Sequence, residues 1–200
     1  MALLKSAWEI ALEKTESIKA DPEKIRTDAL RTEGRRLAGS FLTSDDPESP
    51  DPAAAYLACP DADRNYLREG FATTMLMNIA MPQAADYRGR FERMVRLVQL
   101  IDGQQSEAID LMGQIQQFFD QYLAARDKLV ERAKQQYQQV FEEKQERLTQ
   151  KYGRGVDVSM ERDPEFINLV QKGYAQLTAQ YQRALDQAKD QLKAQWGLAN

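Results

Sequence analysis

The sequence predicts an all-α protein in which a helical base carries a long, antiparallel, coiled-coil-like helical hairpin. Neither glycine nor proline occurs between Gln114 and Tyr152, and apolar residues recur there mostly in steps of three and four. A second amphipathic run, interrupted only by Gly173, follows a turn at about residues 153–163. Six of the seven prolines lie at or before Pro82. We therefore expect short helices separated by breaks in the first part of the chain and long continuous helices in the second.

The helical base is expected to span residues 1–105. A first helix over about residues 2–20 carries an apolar stripe on one side. A second begins at the Asp-Pro-Glu of residues 21–23, which supplies an N-cap, a first helical residue and an acidic first turn. We expect Gly34 to weaken this second helix, because glycine is a poor helix former.

An exposed loop is expected within the base at about residues 43–60. Residues 43–52 hold three prolines and four acids without a basic residue, a composition that is typical of exposed loops. Two further helices are expected over about residues 60–82 and 84–102. The first contains the run "FATTMLMNIAM", which predicts the most buried helix of the protein.

The hairpin is expected to span residues 106–200. Its first helix, over about residues 106–152, would be roughly 70 Å long at 1.5 Å per residue. We expect Gly153 to end it in a left-handed conformation, and the Asp-Pro-Glu of residues 163–165 to begin the return helix. The expected seam comprises Met112, Ile115, Phe119, Tyr122, Val130, Ala133, Tyr137 and Val140 on the first helix, and Ile167, Val170, Tyr174, Leu177, Tyr181, Leu185, Ala188, Leu192 and Trp196 on the second.

Two cations, Arg126 and Lys144, interrupt this seam, which is rich in tyrosine and flanked by glutamine. Such a seam is less hydrophobic than one of leucine and isoleucine, so an isolated helix pair would be only marginally stable. We therefore expect a second copy or another protein to stabilise the hairpin. The prediction is a homodimer that forms through the hairpin or through the apolar helices of the base.

Composition excludes several classes of chemistry. The chain contains no histidine and a single cysteine, so Ser-His-Asp and Cys-His hydrolases, histidine zinc sites and Cys-rich zinc sites are excluded. The net charge of −4 carries no basic excess of the kind that marks nucleic-acid binders. Charged residues interrupt every apolar run near the amino terminus, so we expect no membrane span, and the lone cysteine favours a cytoplasmic protein.

Four candidate sites have ordinary structural readings that we favour. Cys59 could lie at a helix N-terminus with a lowered thiol pKa, but no histidine pairs with it. The acids of the loop (Asp45, Asp46, Glu48, Asp51, Asp61 and Asp63) lack the spacing of a calcium-binding loop. The arginine groups Arg31, Arg35 and Arg36, and Arg88, Arg90, Arg93 and Arg96, are interspersed with glutamates. For Glu142, Glu143 and Glu146, a di-metal centre would need histidines, whereas Glu143 and Arg147 have the spacing of an ion pair. No catalytic, cofactor-binding or metal-binding residue is predicted.

The tip of the hairpin is the predicted site of partner contact. The five residues expected to form this contact are Val156, Val158, Met160, Arg154 and Arg162. The three apolar side chains would be exposed between charged neighbours. A solvated turn is the other reading of this stretch, and it is the one that we favour.

Two short segments, "KSAWEIALEKTESI" and "LMNIAMP", resemble a small family of uncharacterised bacterial cytoplasmic proteins. The resemblance implies a bacterial source and brings neither an activity nor site residues. From the residues themselves we expect a non-enzymatic interaction or scaffold protein that binds protein partners through its hairpin. The alternatives are a chaperone-like or assembly factor that holds apolar segments, and a regulator that binds a nucleotide or metal through carboxylates and arginines.

Overall fold

A computed structural model describes residues 21–44, 51–103, 106–153 and 159–198, and the predicted first helix therefore lies outside the described residues. The described residues form helices without any β-strand, so the all-α prediction is confirmed. None of these helices combines the length and the apolar character needed to cross a bilayer. Contacts divide the chain into two compact units, Met1–Thr74 and Met75–Asn200.

The first unit contains helices α1 (Pro22–Thr43), α2 (Pro52–Ala58) and the first part of α3 (Arg64–Asn78). Asp21 caps α1 as expected, because its side chain accepts a hydrogen bond from the N–H of Glu23 at 3.0 Å. The predicted exposed loop is shorter than expected. Asp51 caps α2 in the same way, so residues 52–58 are helical.

Helices α1 and α3 run in the same direction and cross where two glycines meet. Arg31 pairs with Glu69 at 2.6 Å, and Gly34 lies against Gly70. A Cβ atom built on Gly34 would lie 2.4 Å from the carbonyl oxygen of Leu67. One built on Gly70 would lie 2.3 Å from the carbonyl oxygen of Arg31. Gly34 is therefore a requirement of the crossing, and not only the weak point in α1 that the sequence predicts.

The second unit contains α4 (Tyr87–Asp102), α5 (Glu107–Tyr152), a 3₁₀ turn (Met160–Arg162) and α6 (Pro164–Gln195). Helix α5 has 46 residues, which corresponds to about 69 Å and agrees with the expected length. Gly153 ends α5 with a φ of 82°, although its ψ of 174° is extended and not the left-handed helical value expected. Asp163 caps α6 by accepting the N–H of Glu165 at 2.9 Å.

Helices α5 and α6 pack side by side in opposite directions. Gln195 donates to Glu107 at 3.3 Å near one end of the pair. Towards the other end, Tyr137 donates to Glu165 at 3.2 Å. These contacts advance along α5 as they retreat along α6, which is the antiparallel arrangement that the short connection predicts.

The predicted seam shifts by one residue on each helix near the tip. Val140 and Ile167 are 40% and 39% exposed, whereas their neighbours Phe141 and Phe166 are buried. A 3.6-residue helix drifts away from a strict seven-residue repeat, so the next buried position after Tyr137 is four residues on, not three. Phe141 and Phe166 join Ala133, Tyr137 and Met160 in a small apolar cluster.

Candidate interaction surface

Two depressions lie along one face of the α5–α6 pair. Each has a volume of about 350 Å³. Residues that line them follow each other in steps of seven on both helices, and positions seven apart occupy nearly the same helix face. We call this surface the groove face. Its marker residues are Leu111, Phe118, Ala125 and Arg132 on α5, and Leu177, Ala184 and Gln191 on α6.

Of the twenty residues that line the groove face, ten are aliphatic and six are glutamines. Lys128 and Arg132 are the only charged residues among the described residues that line the two depressions, and no acid is among them. In a chain with 31 acids and a net charge of −4, an acid-free face with two cations is a distinct electrostatic surface. The chemistry favours an apolar partner that carries acids at one end.

Helix α4 covers the opposite side of α5 and leaves the groove face open. Phe119 is 2% exposed and packs edge-to-face against Tyr87 and Phe91 of α4, with ring centroids 5.5 and 5.8 Å away. Asp120 accepts a hydrogen bond from the hydroxyl of Tyr87 at 2.8 Å. The neighbouring Phe118 points elsewhere and packs against the tilted ring of Tyr181, with the ring centroids 4.9 Å apart. The two adjacent phenylalanines therefore contact different helices: Phe119 contacts α4, and Phe118 contacts α6.

Arg126, one of the two cations that interrupt the seam, has specific partners. Its guanidinium lies 4.9 Å from the ring centroid of Tyr174 and 5.8 Å from that of Tyr122. It donates to the carbonyl oxygen of Gln83 at 2.7 Å. The interruption is thus a cation–aromatic contact that also holds the segment before α4.

Lys144, the second cation, forms a polar cluster beside the tip. Its ammonium donates to the Tyr137 hydroxyl at 2.6 Å and contacts Asp163 and Glu165 at 3.0 Å each. The hydrogen bond with Tyr137, followed by those with the two acids, raises the pKa of Lys144 well above its usual range. A lysine that stays charged is neither a nucleophile nor a general base, so the contacts of this cluster favour a structural role.

The carboxylate of Asp163 is buried and remains ionised. Burial acts to raise its pKa, but the N–H of Glu165 and the ammonium of Lys144 more than offset burial and lower the pKa. A carboxyl whose pKa is lower in the folded state stabilises the fold above its unfolded pKa. That stabilisation is lost as pH falls through the folded value.

We expect Asp163→Ala to destabilise the chain by about 1–2 kcal/mol through loss of the helix cap alone. Asp163→Asn keeps a capping side chain but loses the charge, so it tests the ion pair. The difference in thermal midpoint between wild type and Asp163→Asn should be largest at neutral pH. It should shrink as pH falls below about 4, the ordinary value for aspartate. A difference that stays constant down to pH 2 would contradict the ion-pair role.

The predicted contact tip is only partly within the described residues. Arg154, Val156 and Val158 lie outside them. Arg162 is exposed, as expected. The expectation that Met160 is exposed is wrong, because it is buried against the apolar cluster that contains Phe141 and Phe166. Met160 anchors the end of the hairpin instead of presenting a contact.

Cys59 does not occupy a helix N-terminus. It is the C-cap residue of α2, and burial raises the pKa of its thiol. Asp63 adds to this rise, and Arg64 opposes it. A raised thiol pKa reduces the thiolate fraction, which favours the passive reading of this residue.

The acids of the predicted loop are used as caps and ion pairs where they are described. Asp51 caps α2, Asp61 pairs with Arg64 at 2.6 Å, and Asp63 pairs with Arg26. Asp45, Asp46 and Glu48 lie outside the described residues. Within the described ranges, no group of three or more potential metal-ligating side chains comes together.

The arginines are placed largely in ion pairs. Arg31 contacts Glu69 and Asp28, and Arg36 pairs with Glu33 at 2.6 Å. Arg35 donates to Thr32 at 2.8 Å and forms no ion pair with an acid in the part of the chain that the structure describes.

In the second unit, Arg88 pairs with Asp120 at 3.2 Å. Arg90 donates to Asn78 and, with Asp86, lines a depression of about 330 Å³ over an apolar floor. Arg90 is exposed, so this depression is less well formed than a buried ligand site.

The three glutamates of α5 considered as a metal site, Glu142, Glu143 and Glu146, are exposed. Glu142 and Glu146 line a shallow polar depression on α5. Glu143 pairs with Arg147 at 3.4 Å, so the ion pair expected from their spacing is confirmed.

The groove face is the surface that sequence reasoning missed. The signal was a second apolar stripe on α5, offset by one residue from the seam. Leu111, Phe118 and Leu129 each precede a seam residue directly. Two adjacent stripes broaden the apolar arc of a helix beyond what one neighbour can cover.

Comparison with known proteins gives one match. A model described as "Family of unknown function (DUF6657)" matches residues 53–194, which include all of α4 and α5 and nearly all of α6. No curated protein and no solved structure matches the chain.

Proposed function

Because the chain belongs to DUF6657, a family of unknown function, we propose its role from the hairpin itself: a non-enzymatic interaction protein that binds protein partners through the groove face. The observation that carries this proposal is the exposed, acid-free apolar groove formed by α5 and α6. Grooves of this kind accept amphipathic helices, whose apolar stripe fills the depression while polar residues meet the edges.

The length and rigidity of α5 support the same role. A helix of 46 residues, packed on one side by α4 and on another by α6, presents the groove on a preformed surface. Partners then bind without the entropic cost of ordering the surface that receives them. The buried ends of the hairpin, around Met160 and Trp196, support this rigidity.

Where the protein acts is part of the proposal. A single, partly buried cysteine supports a reducing compartment, and we place the protein in the cytoplasm. The resemblance of two segments to bacterial proteins supports a bacterial cytoplasm.

Site-specific photo-crosslinking tests the proposal. A benzophenone side chain at Gln121, a glutamine on the groove face, should crosslink a protein in cells of the native host. The matched control position is Glu131, which is exposed on α5 and does not line the groove. Crosslinks from Gln121 and none from Glu131 are the expected result. Equal yields at both positions, or no product at Gln121, would contradict a groove-mediated interaction.

A chaperone-like or assembly role is the second candidate, and the exposed apolar lining favours it. It predicts that the protein suppresses aggregation of a model client. Replacing Leu129 and Leu169 with glutamine should then reduce this suppression. A regulator built on Arg90 and Asp86 has weaker support, because both charged side chains are exposed to solvent. A rise in the thermal midpoint on addition of Mg²⁺ and a nucleotide would support the regulator hypothesis.

A further inference from the structure

We propose that the groove face binds the groove face of a second copy of this chain, in antiparallel orientation about a two-fold axis near Phe118 and Gln121. This inference names the partner of the surface described above, and it rests on the proposed function. Three observations carry it: the order of charges along α5, the neutral centre of the groove and the size of the surface.

The charges on α5 change sign along the helix, from two acids that precede the lining of the groove face to the two cations that are part of it. Glu107 and Asp110 lie at the start of the helix, and Lys128 and Arg132 lie farther along it. Asp110 and Lys128 are 18 residues apart, or about five full turns, so they share one line along the helix. Glu107 and Arg132 are 25 residues apart, or about seven turns.

All four charged side chains are exposed, and the described residues contain no ion pair to any of them. Glu107 accepts only a hydrogen bond from the amide of Gln195, at 3.3 Å. These charges are therefore available to a partner. Ion pairs that complete an interface fix orientation, because the wrong orientation places like charges together.

One two-fold axis satisfies both pairs at once. The midpoint of Asp110 and Lys128 falls at residue 119, and the midpoint of Glu107 and Arg132 falls next to it. An axis there places the two cations of each copy opposite the two acids of the other. A symmetric dimer requires such self-complementarity, in which residue i meets j and j meets i.

The residues around this axis can pair with copies of themselves. Between Leu111 and Ala125, the lining of the groove on α5 is uncharged. Gln121 carries both a donor and an acceptor, so two copies of it can bond to each other. Phe118 lies one turn away and offers an aromatic face to its own copy.

The surface is large enough for a dimer. From Leu111 to Gln136 the groove runs roughly 38 Å along α5, and two helices side by side are about 20 Å wide. The product approaches the ~800 Å² per partner that stable interfaces bury. Two hairpins joined in this way form a four-helix arrangement that covers the apolar lining of both.

Sedimentation equilibrium of the full-length chain tests the proposal. The wild-type protein should be mainly dimeric at ~50 μM. Replacing both cations (Lys128→Glu with Arg132→Glu) should weaken dimerisation at least tenfold, because four acids then face four acids. Adding Glu107→Lys and Asp110→Lys to that variant should restore dimerisation to within about threefold of wild type.

The control carries the same change of charge away from the groove. Lys172→Glu with Arg183→Glu alters two exposed cations of α6 that do not line the depressions, and it should leave dimerisation within about twofold of wild type. Circular dichroism melts of every variant establish that the chains are folded.

Three outcomes would overturn the dimer: a monomeric wild type at ~50 μM, a weakened variant that the reversed acids do not rescue, or an equal loss in the control. The proposed function fails separately. A monomeric chain that crosslinks another protein from Gln121 keeps the groove as an interaction surface and loses only the second copy. A dimer that gives no crosslink from Gln121 places the interface elsewhere, which overturns both.

Discussion

Replacing Gly34 or Gly70 with alanine is expected to destabilise the first unit by about 3 kcal/mol, among the largest effects of a single methyl group. The added carbon on either residue would lie well inside the contact distance of a backbone carbonyl oxygen of the opposite helix, at 2.4 and 2.3 Å. Backbone atoms cannot rotate aside as a flexible side chain can. The two helices must therefore separate, which also weakens the ion pair between Arg31 and Glu69.

Gly39→Ala is the matched control, because it makes the same chemical change in the same helix. Among the described residues, no atom beyond the local backbone of α1 lies within 4 Å of a Cβ built on Gly39. Alanine is the better helix former there, so this variant should be more stable than wild type by about 0.5–1 kcal/mol. Urea unfolding of the three variants measures the contrast. Equal destabilisation at positions 34 and 39 would show that helix propensity, and not the crossing, accounts for the effect.

Phe119→Ala is expected to cost about 3–5 kcal/mol of unfolding free energy, because it removes a buried ring from the contact between α4 and α5. Tyr87 and Phe91 would lose their common edge-to-face partner. The adjacent Phe118→Ala should cost less, about 1–2 kcal/mol, because that side chain is only half-buried and its partner Tyr181 also contacts Tyr122.

The order of the two effects should reverse for self-association, in which Phe118→Ala should have the larger effect and Phe119→Ala the smaller. Phe118→Ala removes an aromatic side chain from the centre of the groove and should weaken dimerisation about tenfold. Phe119→Ala, where folded, should leave the dissociation constant within about threefold of wild type. Chemical denaturation and sedimentation equilibrium on the same samples separate the two effects. A larger stability loss at position 118 than at 119 would contradict the assignment of these faces.

The helices of this protein are largely predictable because their signals are local. The Asp-Pro-Glu sequences at residues 21–23 and 163–165 each predict an N-cap, and both caps form. Gly153 ends α5 as expected, and Gly103 ends α4 in the same way, because both residues adopt a positive φ that favours glycine. The Asp51-Pro52 pair also predicts an N-cap. The surrounding segment is rich in proline and acids, a composition typical of loops, so the seven residues of α2 were predicted as loop.

What could not be predicted depends on contacts between residues that are distant in sequence. Gly34 is a weak helix former in isolation, and only Gly70 on another helix explains its place. Met160 lies in a stretch of charged residues, which predicts that it is exposed. It is buried because it packs against Phe141 and Phe166, which are distant in sequence or lie on the other side of the turn. The second apolar stripe on α5 indicates a broad apolar arc, but the groove face itself needs two helices, so a window of one helix cannot show the depressions between them.

The two seam cations also determine how α5 and α6 align. Tyrosines, glutamines and alanines recur so regularly along both helices that a slide of one heptad, about 10 Å, would still place apolar residues together. Such a slide would take Arg126 away from Tyr174 and Lys144 away from Asp163, leaving a buried carboxylate without its cation. The polar interruptions that weaken the seam thus select a single register from several that hydrophobic packing alone would allow.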